Sequence, residues 1–120
     1  MPHLNLEYSS NCHGFDAQAT LLAINTALIA TGEFKDVDVK SRAQAFDAFQ
    51  IGTQGGRGFV HVRLSVMPGR SPETKKMLTE RIVQVLVEQT IHVGSPADLQ
   101  RTAEINEFDR AAYSKDHRAA

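Results

Sequence analysis

Residues 59–73 read FVHVRLSVMPGRSPE, and the fold turns on how this stretch is parsed. Over its first half, Val60, Val62, Leu64 and Val66 alternate with His61, Arg63 and Ser65, the period-two pattern of a strand with one buried face. Within five residues the chemistry changes: Ser71 can cap orphan amides, Pro72 is preorganised for a first helical turn, and Glu73 complements the dipole. A helix therefore starts at Ser71. Met77, Leu78, Ile82, Val85 and Leu86 extend it as an apolar stripe to about Gln89, and Gly94 to Pro96 breaks it. A last short strand is expected over Arg101 to Phe108.

Working back toward the N-terminus, the same order recurs. Leu4, Leu6 and Tyr8 alternate with His3, Asn5 and Glu7, so the chain opens on a strand, with Pro2 at its first position where no ladder donor is lost. Phe15, Ala19, Leu22 and Ile29 recur at helical spacing between Phe15 and Thr31, and Gly32 supplies a stop. A second extended region is expected from Val39 to Ile51, loosening near Phe49, with a bulge as one explanation. Gln54, Gly55 and Gly56 carry turn chemistry, which predicts a hairpin between the second and third strands. The sum is α+β: β-α-β-β-α-β, a four-stranded sheet with two helices on one face. The halves Pro2 to Ala48 and Gly58 to Phe108 each read strand, helix, strand, which hints at a pseudo-duplication. No linker divides residues 1–120, so one domain is expected, with a core over 2–108 and a polar tail over 109–120 that either packs on a neighbour or stays mobile.

Composition narrows the function. With 42% hydrophobic and 22% charged residues the chain is ordinary for one globular domain, and a formal charge of −1 is wrong for a phosphate-neutralising nucleic-acid binder. No run approaches the roughly 20 apolar residues of a membrane span, and residues 1–6 lack the head and core of a signal peptide. A single cysteine fits a reducing compartment, hence a cytoplasmic location. Cys12 beside His13 is half of a metal or thiol site without partners at suitable spacing, so no metal is expected.

Pro2 is the residue with distinctive chemistry. Removal of Met1 would expose a secondary amine at the start of a strand. Burial and nearby cations disfavour its protonated form, leaving a base poised for neutral pH. Arg70 stands just before a helix N-terminus, a place suited to anions. Lys40 and Arg42 share one face of the second extended region by strand alternation.

Met1-Pro2-His3, Thr31-Gly32, Lys40-Ser41-Arg42, Phe59-Val60-His61 and Gly69-Arg70-Ser71, in that order and spacing, resemble the 5-carboxymethyl-2-hydroxymuconate Δ-isomerase family of the tautomerase superfamily, over about Pro2 to Phe108. The resemblance implies a homotrimer with each active site near a subunit boundary, no metal or organic cofactor, and a small-molecule carboxylate substrate met in catabolism of aromatic compounds. It implies Pro2 as general acid and base, with Arg70, Lys40 and Arg42 as substrate-binding cations. Lys40 stands where that family typically has Arg, which keeps the charge but loses the two-pronged grip on a carboxylate. His3 and His61 either border the pocket or meet at a subunit contact. Phe46 and Phe49 either wall the pocket or fill the trimer core. Two alternatives stay open: the same amine catalysing hydration, dehalogenation or decarboxylation of an unsaturated acid, and a non-catalytic oligomeric binding protein.

Overall fold

The protein is described from a computed structural model covering residues 1–120. Its elements are β1 (His3–Ser9), α1 (Ala17–Ala30), β2 (Lys40–Phe46), β3 (Arg57–Val66), α2 (Pro72–Gln89) and β4 (Asp98–Glu107). Single 3-10 turns lie at Asp36–Asp38 and Arg110–Ala112. The strands lie in the order β2-β1-β3-β4. β1 runs parallel to β2, β3 runs parallel to β4, and the two pairs join through an antiparallel β1–β3 seam. Each half is thus a parallel β-α-β unit, so the strand, helix, strand order expected of both halves is present in each.

The expected β2–β3 hairpin does not form. β2 is the edge strand on the far side of β1, and β3 pairs with β1 and β4. Residues 47–56 therefore pass across the end of β1. The chain does bend at Gly55 and Gly56, the latter at φ 78°. Turn chemistry reports a local reversal only; it does not say whether the returning strand takes the adjacent place or the next one. Three boundaries also move. β2 stops at Phe46 with no bulge, where Ser10 N–H donates to the Phe46 carbonyl at 2.9 Å. β4 begins at Asp98, opposite Arg57, and ends at Glu107. α1 begins at Ala17, because Asp16 is its N-cap and accepts from the Ala19 amide at 3.0 Å.

One apolar cluster fills the space between sheet and helices. Leu4 and Leu6 from β1, Val60, Val62, Leu64 and Val66 from β3, Ile24 and Leu28 from α1, and Leu78, Ile82 and Leu86 from α2 are all essentially solvent-free. Each such aliphatic side chain stabilises the fold by about 1.5–3 kcal/mol relative to an exposed one. The β3 and α2 stripes lie where the sequence pattern puts them. The α1 stripe does not: Leu22 is 66% exposed, and the buried set is Thr20, Leu21, Ile24 and Leu28. α1 is apolar nearly all round, so periodicity alone could not select its inner face. The sheet face away from the helices carries His3, Asn5 and Glu7 of β1 beside Lys40 and Arg42 of β2, and His61 and Arg63 of β3 beside Thr102 and Glu104 of β4. No helix is long and apolar enough to cross a membrane.

Candidate active site

Strand register gathers the N-terminal residues and two of the cations at one end of the sheet. His3 lies opposite Lys40 in the parallel β1–β2 pair, and the Lys40 amide donates to the Pro2 carbonyl at 3.2 Å. Pro2 itself is buried. Arg42 Nη2 donates to His3 Nδ1 at 2.9 Å. Arginine is a donor only, so His3 carries its proton on Nε2, which donates to the Tyr113 hydroxyl at 3.2 Å. Burial, then the charges of Lys40 and Arg42, hold His3 below its ordinary pKa of 6.5. The α-amino group at residue 1 is likewise held below its ordinary value, first by burial and then by the Lys40 ammonium. That end of the chain is a place where a protonated nitrogen is disfavoured.

A cavity of about 400 Å³ opens beside this cluster. His3, Val37 and Lys40 form one side, and residues 113–117 form the other. Asp38, just outside it, joins two of the cations: its backbone carbonyl accepts from Lys40 Nζ, and its carboxylate pairs with Lys115 Nζ at 2.9 Å. The hydrogen bond from Lys115 holds the Asp38 carboxyl low, and the same bond raises Lys115.

Arg70 is at the same end of the molecule but outside the cavity wall. Its Nε donates to Glu33 Oε1 at 2.9 Å, its Nη2 donates to the Glu33 carbonyl at 3.0 Å, and its guanidinium lies 4.6 Å over the Phe34 ring. It is engaged within its own chain. Phe46, Phe49 and His61 are not brought to the cavity within one chain. Phe46 is opposite Ser9, at the far end of β1 from Pro2. Phe49 packs edge-on to Phe59 at 6.0 Å. His61 bridges Thr102 and Glu104 on the open sheet face. Cys12 is buried against Ser9 and Phe59. No cluster of three or more His, Cys, Asp or Glu side chains is arranged to hold a metal ion.

The cavity residues that the sequence does not single out are Val37 and the whole of Tyr113, Ser114, Lys115, Asp116 and His117. The only available signal was an aromatic and a lysine in a polar tail, and an acidic Asp36-Val37-Asp38 turn immediately before a strand that starts with Lys40.

Two β-α-β units back to back, with an N-terminal strand beginning among cations, define a tautomerase-type fold. The family described as 5-carboxymethyl-2-hydroxymuconate isomerase matches residues 2–119, and the chain belongs to that family; it is an isomerase. A 5-carboxymethyl-2-hydroxymuconate isomerase from Deinococcus radiodurans R1 is 29% identical, with 98% of this chain and 90% of that chain covered at a TM-score of 0.86. A 5-carboxymethyl-2-hydroxymuconate delta-isomerase is 21% identical, with 98% and 89% covered at a TM-score of 0.84. A fused 4-OT described as a symmetric trimer is 17% identical, with 88% and 85% covered at 0.65, a likeness of fold. No curated protein matches the chain in sequence.

Proposed function

We propose that the chain, once Met1 is removed, ketonises a small unsaturated 2-hydroxy carboxylic acid such as 5-carboxymethyl-2-hydroxymuconate, with the Pro2 amine as general base and acid. The neutral amine takes the proton of the dienol hydroxyl and returns it to a carbon of the chain, so that a 2-oxo acid results and the catalyst is regenerated. Charge that develops on the enolate oxygen and the carboxylates is stabilised by Lys40, beside the amine, and by Arg42, one step along the same strand face and against His3. The observation that supports the reading is the placement of Pro2, buried and bonded through its carbonyl to the Lys40 amide, at an end of the chain where burial and Lys40 hold the amine of residue 1 below its ordinary value. In this reading Arg70 reaches a substrate carboxylate by exchanging it for Glu33.

We propose further that the protein acts in the cytoplasm as a homotrimer of one-domain subunits. The uncovered polar sheet face and the trimeric state of the fused 4-OT favour this reading. In such an assembly Phe46, Phe49 and His61 serve a neighbouring subunit's pocket or the contact itself. The test has two parts. Intact mass must show Met1 absent, and Pro2→Ala in the processed protein is expected to lower kcat for ketonisation of 5-carboxymethyl-2-hydroxymuconate by about 10²–10⁴-fold. Full turnover in that variant would end the proposal.

A further inference from the structure

The tail beyond Phe108 takes no part in the sheet, yet it walls the cavity, and three elements pin it there. Arg110 Nη2 donates to the Pro68 carbonyl at 2.9 Å, in the loop between β3 and α2. The Tyr113 ring packs on Phe108 at 5.1 Å, and its hydroxyl accepts from His3 of β1. Lys115 pairs with Asp38, in the turn before β2. These contacts bring two ammonium groups to one cavity, Lys40 from the sheet and Lys115 from the tail.

Asp38 holds both ammonium groups without exhausting either. Lys40 donates to its backbone oxygen and Lys115 to its carboxylate, one bond each. An ammonium has three N–H donors, so both lysines keep donors for ligand oxygens. A ligand with one carboxylate can use only one of these points. A ligand with a second carboxylate at its remote end can span from Lys40, beside the amine, to Lys115 across the cavity.

We propose that Lys115 is a specificity-determining residue that binds the remote carboxylate of the substrate, so that the preference for a polycarboxylic over a monocarboxylic enol depends on this side chain. The proposal rests on the reading of Pro2 as acid and base and of Lys40 as the substrate-binding cation beside it. Asp38 keeps the Lys115 side chain in place before the ligand arrives, which lowers the ordering cost of binding.

The experiment compares kcat/KM for 5-carboxymethyl-2-hydroxymuconate and for 2-hydroxypenta-2,4-dienoate in the processed wild type and in Lys115→Gln. The preference for the polycarboxylate is expected to fall by about tenfold, mainly through KM, as the loss of one charge-assisted hydrogen bond implies. Lys115→Arg is expected to restore most of it. A chain ending at Ala112 is expected to lose the preference as Lys115→Gln does. An unchanged preference in Lys115→Gln, or an equal loss for both acids, overturns the proposal. If the wild type is inert toward both acids, the acid–base reading is what fails. Calorimetry with the non-reacting probes adipate and pentanoate then decides for Lys115 alone: tighter adipate binding that vanishes in Lys115→Gln supports it, and adipate binding indifferent to the substitution overturns it.

Discussion

His3 shows how much of this site is set by single contacts. Its Nδ1 faces a guanidinium that can only donate, so protonation would break that contact and add a third cation beside Lys40 and Arg42. The unfolded chain takes up this proton near 6.5, whereas the folded chain resists it to a lower pH. Stability from neutral His3 is therefore complete above the unfolded value and is lost as pH falls from there toward the folded value. Urea unfolding at about pH 7.5 and about pH 5.5 should show a drop in midpoint that is smaller in His3→Gln than in the wild type. Asp38 and Glu104, lowered chiefly by hydrogen bonds from Lys115 and His61, also lose their contribution on acidification, but only through the carboxylate range below that window. Arg70 makes the opposite point. Its position before a helix start marks it in the sequence as an anion binder, and in the folded chain the anion it holds is Glu33. The two side chains keep 23% and 34% of their surface exposed, and a pair still open to solvent contributes about 0–1 kcal/mol, little enough for a substrate carboxylate to displace.

The elements differ in how openly their sequences declare them. α2 has every signal in place: the Ser71 hydroxyl accepts from the Thr74 amide at 3.1 Å, Pro72 opens the first turn, and Leu78, Ile82, Val85 and Leu86 are buried at the predicted spacing. α1 carries a good cap and stop but is apolar nearly all round, so its inner face was settled by what it packs against. β3 alternates cleanly because one face meets the helices. Its first turn hides a close approach that no pattern reveals. A Cβ on Gly58 would come within 2.5 Å of Pro96 Cγ and 3.0 Å of Ser9 Oγ, which is where β1, β3 and the loop before β4 converge. Gly58→Ala is expected to cost about 1–3 kcal/mol of stability, read as a lowered denaturation midpoint with an unchanged slope. An unaltered midpoint would mean that the three segments can separate at no cost.

At the scale of the whole molecule, the two parallel β-α-β units meet through β1 and β3, and the sheet face away from the helices is left to polar residues. The proposed trimer predicts three chains per particle in sedimentation, and a stable monomer would deprive Phe46, Phe49 and His61 of any place at the cavity beside the N-terminal strand. The sequence by itself determined the order and kind of the elements, the buried stripes of β1, β3 and α2, and the candidacy of Pro2, Lys40, Arg42 and Arg70. Those features are written in short-range periods, caps and residue chemistry, each confined to a window of a few residues. Only the tertiary structure decided that β2 lies beside β1 rather than β3, that Leu22 faces outward, that Arg70 is held by Glu33, and that Tyr113 and Lys115 come back to the N-terminal strand. These are pairings between residues far apart in the chain, such as His3 with Tyr113 and Asp38 with Lys115. A local pattern carries no information about which distant partner fills a given place, because that choice is made by the packing of all the elements at once.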